Sequence, residues 1–313
     1  MVREHEVNTN PMSTPAAFPP LMTAMATPFD ADGALDLPAA QKLARHLAAH
    51  GNGGIVVAGT TGESPTLSHD ETLELLAAVV EAVGEDTAVI AGTGKNDTAE
   101  TVRMTAEATD VGVDGIMLVS PYYNRPNQRG LDQHFRAAAA ATDLPVLLYN
   151  IPGRTACEIA PETMLTLATE VANINGVKDA VGDMAKAGWL ISRAPDDFGV
   201  WSGDDKNCLP LLAVGGAGLV SVAAHLVGDE LANMIALVDA DLYAARRIHL
   251  RLLPLFEALF LEPSPAPLKA AMEWLGLPGG ALRLPMVPIA DDTAARLRDA
   301  MVAAGLPVER QVT

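Results

Sequence analysis

Eight short apolar runs recur along the chain, and most are separated by a segment with helical periodicity. None of the runs alternates polar and apolar residues, which is typical of parallel strands buried on both faces. Eight strands alternating with helices predict an α/β fold, a (β/α)8 TIM barrel, for which about 250 residues is typical. The runs are Leu21–Thr27, Gly54–Gly59, Ala88–Thr93, Gly115–Ser120, Pro145–Asn150, Gly176–Ala180, Gly199–Gly203 and Gly218–Ala223.

The helical segments are rich in Ala and Leu and carry polar faces, and several follow capping residues such as Ser68 and Asp97. We predict helices over Leu37–His50, Asp70–Val83, Thr98–Val111, Gly130–Ala141 and Pro161–Val171. A doubly wound open sheet is the alternative architecture. It would require a glycine-rich phosphate-binding turn, and the sequence contains neither G-x-G-x-x-G nor G-x-x-x-x-G-K-[ST].

The chain divides into three predicted parts. Residues 1–19 form a flexible N-terminal extension, which lacks the apolar core of a signal peptide. Residues 20–240 form the barrel. Residues 241–313 form a C-terminal helical region, with helices over Leu242–Leu261, Pro267–Leu275 and Thr293–Ala304.

Charge and cysteine content restrict the partners and the compartment. With 21 Lys and Arg against 39 Asp and Glu, the net charge of −18 argues against a nucleic-acid or membrane-binding surface. The most apolar stretch, Leu211–Ala224, has 14 residues, whereas a membrane span needs about 18 or more. Two cysteines, Cys157 and Cys208, make no disulfide framework, so we expect a cytoplasmic protein.

Lys178 is the most informative single residue. Active sites of such barrels lie at the C-terminal ends of the strands. Of the six lysines, only Lys178 lies inside an apolar run that predicts a strand. Burial lowers the pKa of an amine and makes it a nucleophile that forms Schiff bases with carbonyl compounds. The alternative is a structural ion pair with Asp179, but strand alternation directs Asp179 to the opposite face.

Other strand ends carry groups that suit such chemistry. The hydroxyls of Thr60, Tyr123 and Tyr149 can both donate and accept protons, as a relay requires. The turn at Thr60 and Thr61 can bind a carboxylate through hydroxyl and backbone N–H groups. The planar guanidinium of Arg154 can also bind a carboxylate, through two parallel hydrogen bonds. The alternatives are half-buried packing for the tyrosines, an ordinary strand-to-helix turn, and a solvated surface arginine.

Metal binding has little support in the sequence. His46 and His50 lie four residues apart on a predicted helix but lack a carboxylate partner. Asp204 and Asp205 follow the seventh run without a clear third ligand. We therefore predict no metal. No organic cofactor is expected either, because in Schiff-base chemistry the lysine itself is the electron sink.

Five motifs together resemble the 4-hydroxy-tetrahydrodipicolinate synthase family, long called dihydrodipicolinate synthases, of the pyruvate-dependent class I aldolase superfamily. The resemblance extends from about Leu21 to the C-terminus, and each motif follows or ends a predicted strand. The motifs are Gly59-Thr60-Thr61-Gly62-Glu63, Pro121-Tyr122-Tyr123-Asn124, Tyr149-Asn150-Ile151-Pro152-Gly153-Arg154-Thr155, Gly176-Val177-Lys178-Asp179-Ala180 and Ser202-Gly203-Asp204-Asp205.

The resemblance implies a role for each of these residues. Lys178 forms an imine with pyruvate, and Tyr149 donates and accepts protons beside it. Thr60 links Tyr149 to Tyr123, which comes from a neighbouring subunit. Thr61 holds the pyruvate carboxylate.

The resemblance also implies the second substrate and the assembly. Arg154 receives the carboxylate of L-aspartate 4-semialdehyde, and Gly203 and Val220 line the pyruvate pocket. The reaction belongs to lysine and diaminopimelate biosynthesis, and the assembly is a homotetramer of two tight dimers. Val220 replaces a longer aliphatic residue, and Asp179 replaces the commoner Glu.

Some family members are inhibited by lysine at the tight-dimer interface. The matching positions include Ser64, His69, Asn96, Glu100 and Tyr122. Two neighbours depart from responsive enzymes, because Thr72 stands where His is common and Pro65 where Ala is common. Lys95 also places a positive charge beside a site for a cation. We predict weak or absent inhibition by lysine.

Two other functions are open at this point. One is a different lyase of the superfamily, an N-acetylneuraminate lyase or a keto-deoxy sugar acid aldolase, which shares the lysine and the relay tyrosine. The other is a non-catalytic pyruvate-binding protein. The Pro-Gly-Arg-Thr continuation after Tyr149 favours the synthase over the sugar acid enzymes, which usually lack it.

Overall fold

The structure, a computed structural model, describes residues 17–308. Eight parallel strands form a closed barrel in the order of the sequence, so the predicted (β/α)8 architecture is confirmed. The strands are β1 (Leu21–Ala24), β2 (Gly54–Val57), β3 (Ala88–Gly92), β4 (Gly115–Val119), β5 (Val146–Asn150), β6 (Ile174–Asp179), β7 (Gly199–Ser202) and β8 (Gly218–Ser221).

Helices follow the strands around the barrel, and three more follow the last barrel helix. The barrel helices are α1 (Leu37–Ala49), α2 (His69–Val83), α3 (Thr98–Val111), α4 (Gln128–Ala139), α5 (Pro152–Thr155), α6 (Pro161–Glu170), α7 (Met184–Ile191), α8 (Cys208–Ala213) and α9 (Ala224–Leu237). The C-terminal helices are α10 (Leu242–Ala258), α11 (Ala266–Trp274) and α12 (Asp291–Ala304). Each of the eight predicted helical segments overlaps an observed helix.

Four barrel helices were absent from the sequence prediction. Helices α5, α7 and α8 have four, eight and six residues, too few to display a helical period. Helix α9 follows β8 after two residues and begins with the apolar sequence Ala-His-Leu-Val-Gly, so its start is not separated from the strand by a polar turn. Short or uniformly apolar segments take their helical form from packing on the sheet rather than from periodicity.

The barrel interior is a packed core. Side chains from alternate positions of the strands form one buried cluster, which includes Met22, Leu147, Tyr149, Trp201 and Val220. At the N-terminal end of the barrel, the Phe18 ring packs edge-on against Trp201 with the ring centroids 5.7 Å apart. Open space for chemistry is therefore restricted to the C-terminal end of the strands, as is usual in this architecture.

The C-terminal helices pack on one another and on the barrel. Helix α10 contacts both α9 and α12, and the Arg251 guanidinium donates to the carbonyl of Ala304 over 2.6 Å. The predicted flexible extension over residues 1–19 lies largely outside the described residues, since the first sixteen are not described. Its described end differs from the prediction, because Phe18 is buried against Trp201 and the Pro19 carbonyl accepts from the Trp201 ring N–H. Within residues 17–308, no helix is both long and apolar enough to cross a membrane.

Candidate active site

Lys178 lies on β6 with its side chain inside the barrel. It is in register with Tyr149 of β5 and Trp201 of β7, two other interior residues. Asp179 has the opposite orientation, with its carboxylate 3.4 Å from the Asn150 side-chain nitrogen. The two neighbouring side chains therefore form no ion pair with each other, as the strand alternation predicts.

Burial controls the charge of Lys178. The side chain is only 4% exposed, and loss of hydration lowers the pKa of Lys178 to about 7. The negative charge of Asp205 opposes this shift, and the positive charge of Arg154 adds to it. A large fraction of the amine is consequently neutral near pH 7, the state in which nitrogen can attack a carbonyl carbon.

The ring of Tyr149 lies beside the amine. The Lys178 Nζ lies 4.2 Å from the centroid of the Tyr149 ring. Burial raises the pKa of Tyr149, although a side-chain hydrogen bond with Thr60 and the charge of Arg154 oppose that shift. The phenol therefore stays protonated, and its hydroxyl can pass a proton between Thr60 and a group bound at Lys178.

Thr60 and Thr61 lie in a tight turn after β2. The backbone N–H groups of Gly62 and Glu63 donate to the carbonyls of Gly59 and Thr60, each over 3.1 Å. The side chain of Thr61 is 5% exposed. The turn thus holds two adjacent hydroxyls at the barrel mouth, one of them bonded to Tyr149.

Arg154 and Gly203 lie near Lys178, whereas Val220 belongs to the buried cluster inside the barrel. Arg154 is exposed on α5, immediately after β5, yet it is close enough to influence the pKa of both Lys178 and Tyr149. A Cβ atom at Gly203 would lie 3.2 Å from both Cγ and Cε of Lys178, so a larger residue would crowd the lysine stem. Val220 is fully buried in the barrel wall.

Tyr123 is the one predicted relay residue that a single chain does not bring to the site. Its side chain is 90% exposed, and its φ of +72° belongs to the left-handed region that few non-glycine residues adopt. The following loop residue Arg125 also has a positive φ of +47°. Tyr123 therefore lies on the surface of the chain, outside the packed barrel interior.

The predicted lysine site forms a polar cluster around α2 and α3. His69 pairs with Glu107 at 2.5 Å and lies 3.6 Å from Glu100. The Glu100 carboxylate also accepts hydrogen bonds from two nitrogens of the Arg103 guanidinium, the shorter over 2.7 Å. Arg103 and Glu107 were not predicted to belong to this cluster, and they lie on the same helix face as Glu100 at intervals of three and four residues.

The remaining two positions lie beside this cluster. Tyr122 hydrogen-bonds to the backbone of Asn96, and burial raises the pKa of Tyr122. The side chain of Asn124 donates to the carbonyl of Asn96 over 2.7 Å. Ser64 begins a short 3-10 turn, Ser64–Thr66, just before α2.

Asp205 has a position that the sequence analysis did not anticipate. It is 1% exposed and accepts hydrogen bonds from the Ser221 hydroxyl and the N–H groups of Val222 and Ala223. Asp204 instead accepts from the Lys206 N–H and the Asn207 amide. In residues 17–308 no three His, Cys, Asp or Glu side chains group as a metal site. Asp205 acts as a buried negative charge near Lys178.

The fold and the site define a class of protein: a (β/α)8 barrel with one desolvated lysine inside it and hydroxyl groups beside the amine. Comparison with known proteins specifies the class further. A family model described as the dihydrodipicolinate synthetase family matches residues 17–304. The chain belongs to this family.

Individual relatives agree with the family match. The chain is 51% identical over 287 residues to 4-hydroxy-tetrahydrodipicolinate synthase of Moorella thermoacetica, covering 91% of this chain and 98% of the relative. It is 49% identical over 290 residues to the synthase of Symbiobacterium thermophilum, covering 92% and 99%. The family predicted from the five motifs is confirmed, and with it the predicted enzyme function, that of a 4-hydroxy-tetrahydrodipicolinate synthase, a lyase of lysine biosynthesis.

A solved structure shows the same architecture. The dihydrodipicolinate synthase of Cyanidioschyzon merolae, crystallised with lysine bound, superposes with a TM-score of 0.90 at 45% identity. The match covers 92% of this chain and 99% of that structure.

Proposed function

We propose that this enzyme condenses pyruvate with L-aspartate 4-semialdehyde through a Schiff base on Lys178. The observation that carries the proposal is the buried Lys178 amine beside the hydrogen-bonded Tyr149 and Thr60, in a chain about half identical to the synthases. A neutral amine and a protonated phenol are the two states that imine formation requires.

The first half of the reaction activates pyruvate. The neutral Lys178 amine attacks the ketone carbon, and the hydroxyl of Tyr149 donates the proton with which water leaves the carbinolamine. Loss of a methyl proton from the imine then gives an enamine. Thr61 binds the pyruvate carboxylate, and Gly203 leaves room for the lysine stem to carry the bound substrate.

The second half forms the carbon–carbon bond and releases the product. The enamine carbon attacks the aldehyde carbon of the semialdehyde, whose carboxylate binds to Arg154 at the mouth. The amine of the semialdehyde then displaces Lys178 by transimination, and this step closes the ring. The lysine itself serves as the electron sink, so the proposed mechanism uses no cofactor.

The oligomeric state is also part of the proposal. The exposure of Tyr123 and its strained backbone support a role outside its own barrel, as a relay residue that reaches Thr60 of a neighbouring subunit. The assembly proposed on the basis of the family is a homotetramer of two tight dimers.

Compartment and domain division remain proposals of the same kind. Cys157 and Cys208 are both buried and unpaired, which supports a reducing cytoplasm. The helices α10 to α12 support a division into residues 20–240 and 241–313.

A coupled assay tests the proposed reaction. Purified enzyme is incubated with pyruvate and L-aspartate 4-semialdehyde, and the cyclic product is reduced by an auxiliary reductase while cofactor oxidation is followed. Turnover should require both substrates. Turnover of N-acetylneuraminate or of a keto-deoxy sugar acid, without activity on the semialdehyde, would support the alternative lyase, and pyruvate binding without any turnover would support a non-catalytic protein.

Substitution of Arg154 should separate the two substrates. We expect Arg154→Ala to raise the KM for the semialdehyde roughly 10- to 150-fold, because a lost bidentate carboxylate contact costs about 1.5–3 kcal/mol. The KM for pyruvate should change little. Steady-state kinetics with each substrate varied in turn measures both constants. Arg154→Lys is the control that keeps the positive charge and loses the two-point guanidinium contact. An equal rise in the KM values for both substrates would assign Arg154 a structural role.

Lysine should inhibit this enzyme weakly or not at all. The proposed site contains Glu100, whose carboxylate would bind the lysine α-amine but already pairs with Arg103. Arg103 competes with lysine for the Glu100 carboxylate, and Thr72 stands where responsive enzymes commonly have a histidine. Together these two features should weaken lysine binding about tenfold or more. A lysine titration of the coupled assay measures the effect. Arg103→Ala should increase the sensitivity, whereas half-inhibition of the unmodified enzyme below millimolar lysine would contradict the prediction.

A further inference from the structure

A buried ion pair lies directly behind the turn that carries Thr60 and Thr61. The Nζ of Lys269, on α11, is 2.7 Å from Oε1 of Glu63, and the two side chains are 3% and 1% exposed. Lys269 also donates to the carbonyls of Thr27 and Ala281 over 2.7 and 2.6 Å. The ammonium therefore has two carbonyl acceptors and one carboxylate oxygen in close contact, although burial lowers the pKa of Lys269.

Glu63 is fixed in an uncommon backbone conformation. Its φ of +54° lies in the left-handed region, which is unfavourable for a side chain of this size and persists only where neighbouring contacts enforce it. The second carboxylate oxygen of Glu63 accepts the backbone N–H of Arg283 over 3.1 Å. Contacts from the C-terminal region thus hold the residue that ends the turn.

Further contacts join the Thr60–Thr61 turn and the residues after it to Lys269 of α11 and to Arg283, which lies between α11 and α12. The Thr27 hydroxyl donates to the carbonyl of Gly62 over 2.6 Å, while the Thr27 carbonyl accepts from Lys269. The Arg283 guanidinium donates to the carbonyl of Thr66 over 2.8 Å and forms a two-point interaction with Glu71 on α2.

The backbone of the C-terminal segment also fits closely. A Cβ atom at Gly280 would lie 2.5 Å from both the backbone N and O of Phe29, and its φ is +69°, so only glycine is suited to this approach. The N–H of Ala281 donates to the carbonyl of Phe29 over 2.8 Å. The charges of Lys269 and Arg283 lie 4.7 and 4.1 Å from the Phe29 ring.

We propose that Glu63 and Lys269 are positioning residues, through which the C-terminal helical region holds the Thr60–Thr61 turn in the geometry that binds the pyruvate carboxylate. The proposal rests on the proposed function, in which Thr61 binds that carboxylate. Neither residue touches the substrate. Hydrogen bonds depend on direction, so a small displacement of the Thr60–Thr61 turn is enough to weaken its contact with the substrate.

The position of the pair explains why the effect should be specific for one substrate. Glu63 is two residues from Thr61 in the same turn, whereas Arg154 is on α5, after a different strand. Displacement of the turn should therefore affect pyruvate, while the proposed semialdehyde contact at Arg154 stays in place. A pair that serves folding stability alone would have no such preference.

The experiment replaces the pair and measures both substrates. Lys269→Met leaves a buried carboxylate without its partner, so the main variant is the double substitution Glu63→Gln/Lys269→Met, which removes both charges and keeps similar shapes. We expect the double variant to fold, with a KM for pyruvate raised roughly tenfold and a KM for the semialdehyde within about twofold of the unmodified enzyme. Circular dichroism and thermal unfolding check the folded state at the assay temperature.

A matched control removes an exposed ion pair of the same residue types. Lys186 and Glu158 lie 2.6 Å apart, with side chains 47% and 34% exposed, so Glu158→Gln/Lys186→Met should leave both KM values unchanged. Trapping of the pyruvate imine by borohydride in the unmodified enzyme is measured in parallel. Absence of trapping there would overturn the proposed function.

Three results would overturn the positioning role while imine trapping in the unmodified enzyme succeeds. The first is an unchanged pyruvate KM in a folded double variant, even if its melting temperature falls. The second is an equal rise in both KM values. The third is failure of both the single and the double variant to fold, which would assign the pair to stability.

Discussion

Replacing Lys178 with alanine is expected to abolish covalent trapping of pyruvate and to lower turnover by roughly a thousandfold or more, since the variant lacks the nucleophile that forms the imine. The residual rate comes from substrate positioning by the rest of the site. Borohydride reduction in the presence of pyruvate, followed by mass spectrometry and peptide mapping, should locate one adduct per chain on Lys178 of the unmodified enzyme.

The rate of trapping should also depend on pH in a defined direction. Burial lowers the pKa of Lys178 to about 7, and only the neutral amine attacks the ketone. The rate should therefore rise as the pH increases through about 7 and then level off. For an ordinary exposed lysine, with a pKa of about 10.4, the rise would extend to far higher pH.

The control for this experiment is Lys186→Ala. Lys186 lies on α7, is exposed, and pairs with Glu158, so its loss should leave trapping and turnover unchanged. Label on any other lysine, or a fully active Lys178→Ala variant, would refute the imine mechanism.

Tyr149→Phe is expected to lower turnover about 100- to 1000-fold, within the range that a lost general acid–base group costs. Phenylalanine retains the ring beside the Lys178 amine and removes only the hydroxyl that bonds to Thr60. Pyruvate should still be trapped on Lys178, more slowly. Exchange of the pyruvate methyl protons with deuterated solvent, followed by NMR, reports the enamine step directly. In Tyr149→Phe this exchange should be slower, as turnover is.

Two further variants test whether the hydroxyls act together. Thr60→Val removes the hydroxyl that is hydrogen-bonded to Tyr149. It should also slow turnover, by a smaller factor than Tyr149→Phe does. Tyr243→Phe is the matched control, because Tyr243 is 62% exposed on α10 and is not part of the proposed relay. Normal proton exchange in Tyr149→Phe would exclude this tyrosine from the relay.

Several features of the site could be predicted because they depend on short segments. Parallel strands buried on both faces are apolar throughout, so the run that contains Lys178 was recognisable as a strand with one charge. Alternation along that strand places Lys178 and Asp179 on opposite faces, and the structure has this arrangement. The motif that spans the end of β5 and the start of α5 contained both Tyr149 and Arg154.

Other features depend on contacts between distant segments. Asp205 could be considered from the sequence only as half of a weak metal-binding pair, because its partners Ser221, Val222 and Ala223 belong to the next strand and its flank. Lys269 was recognisable as a helical lysine, yet its burial against Glu63 joins residues more than two hundred positions apart. No local pattern reports such a contact.

The sequence by itself determined the barrel, the family and the residues that carry the proposed chemistry, because apolar runs, helical periodicity and strand-end motifs are local properties of the chain. Only the tertiary structure decided the charge of Lys178 and the support of the Thr60–Thr61 turn. Closure of the barrel removes water from the amine and brings Asp205 and Arg154 within electrostatic range of it. Packing of α11 on the barrel buries Lys269 against Glu63. Hydration and Coulomb interactions depend on distances in space, and the fold sets these distances.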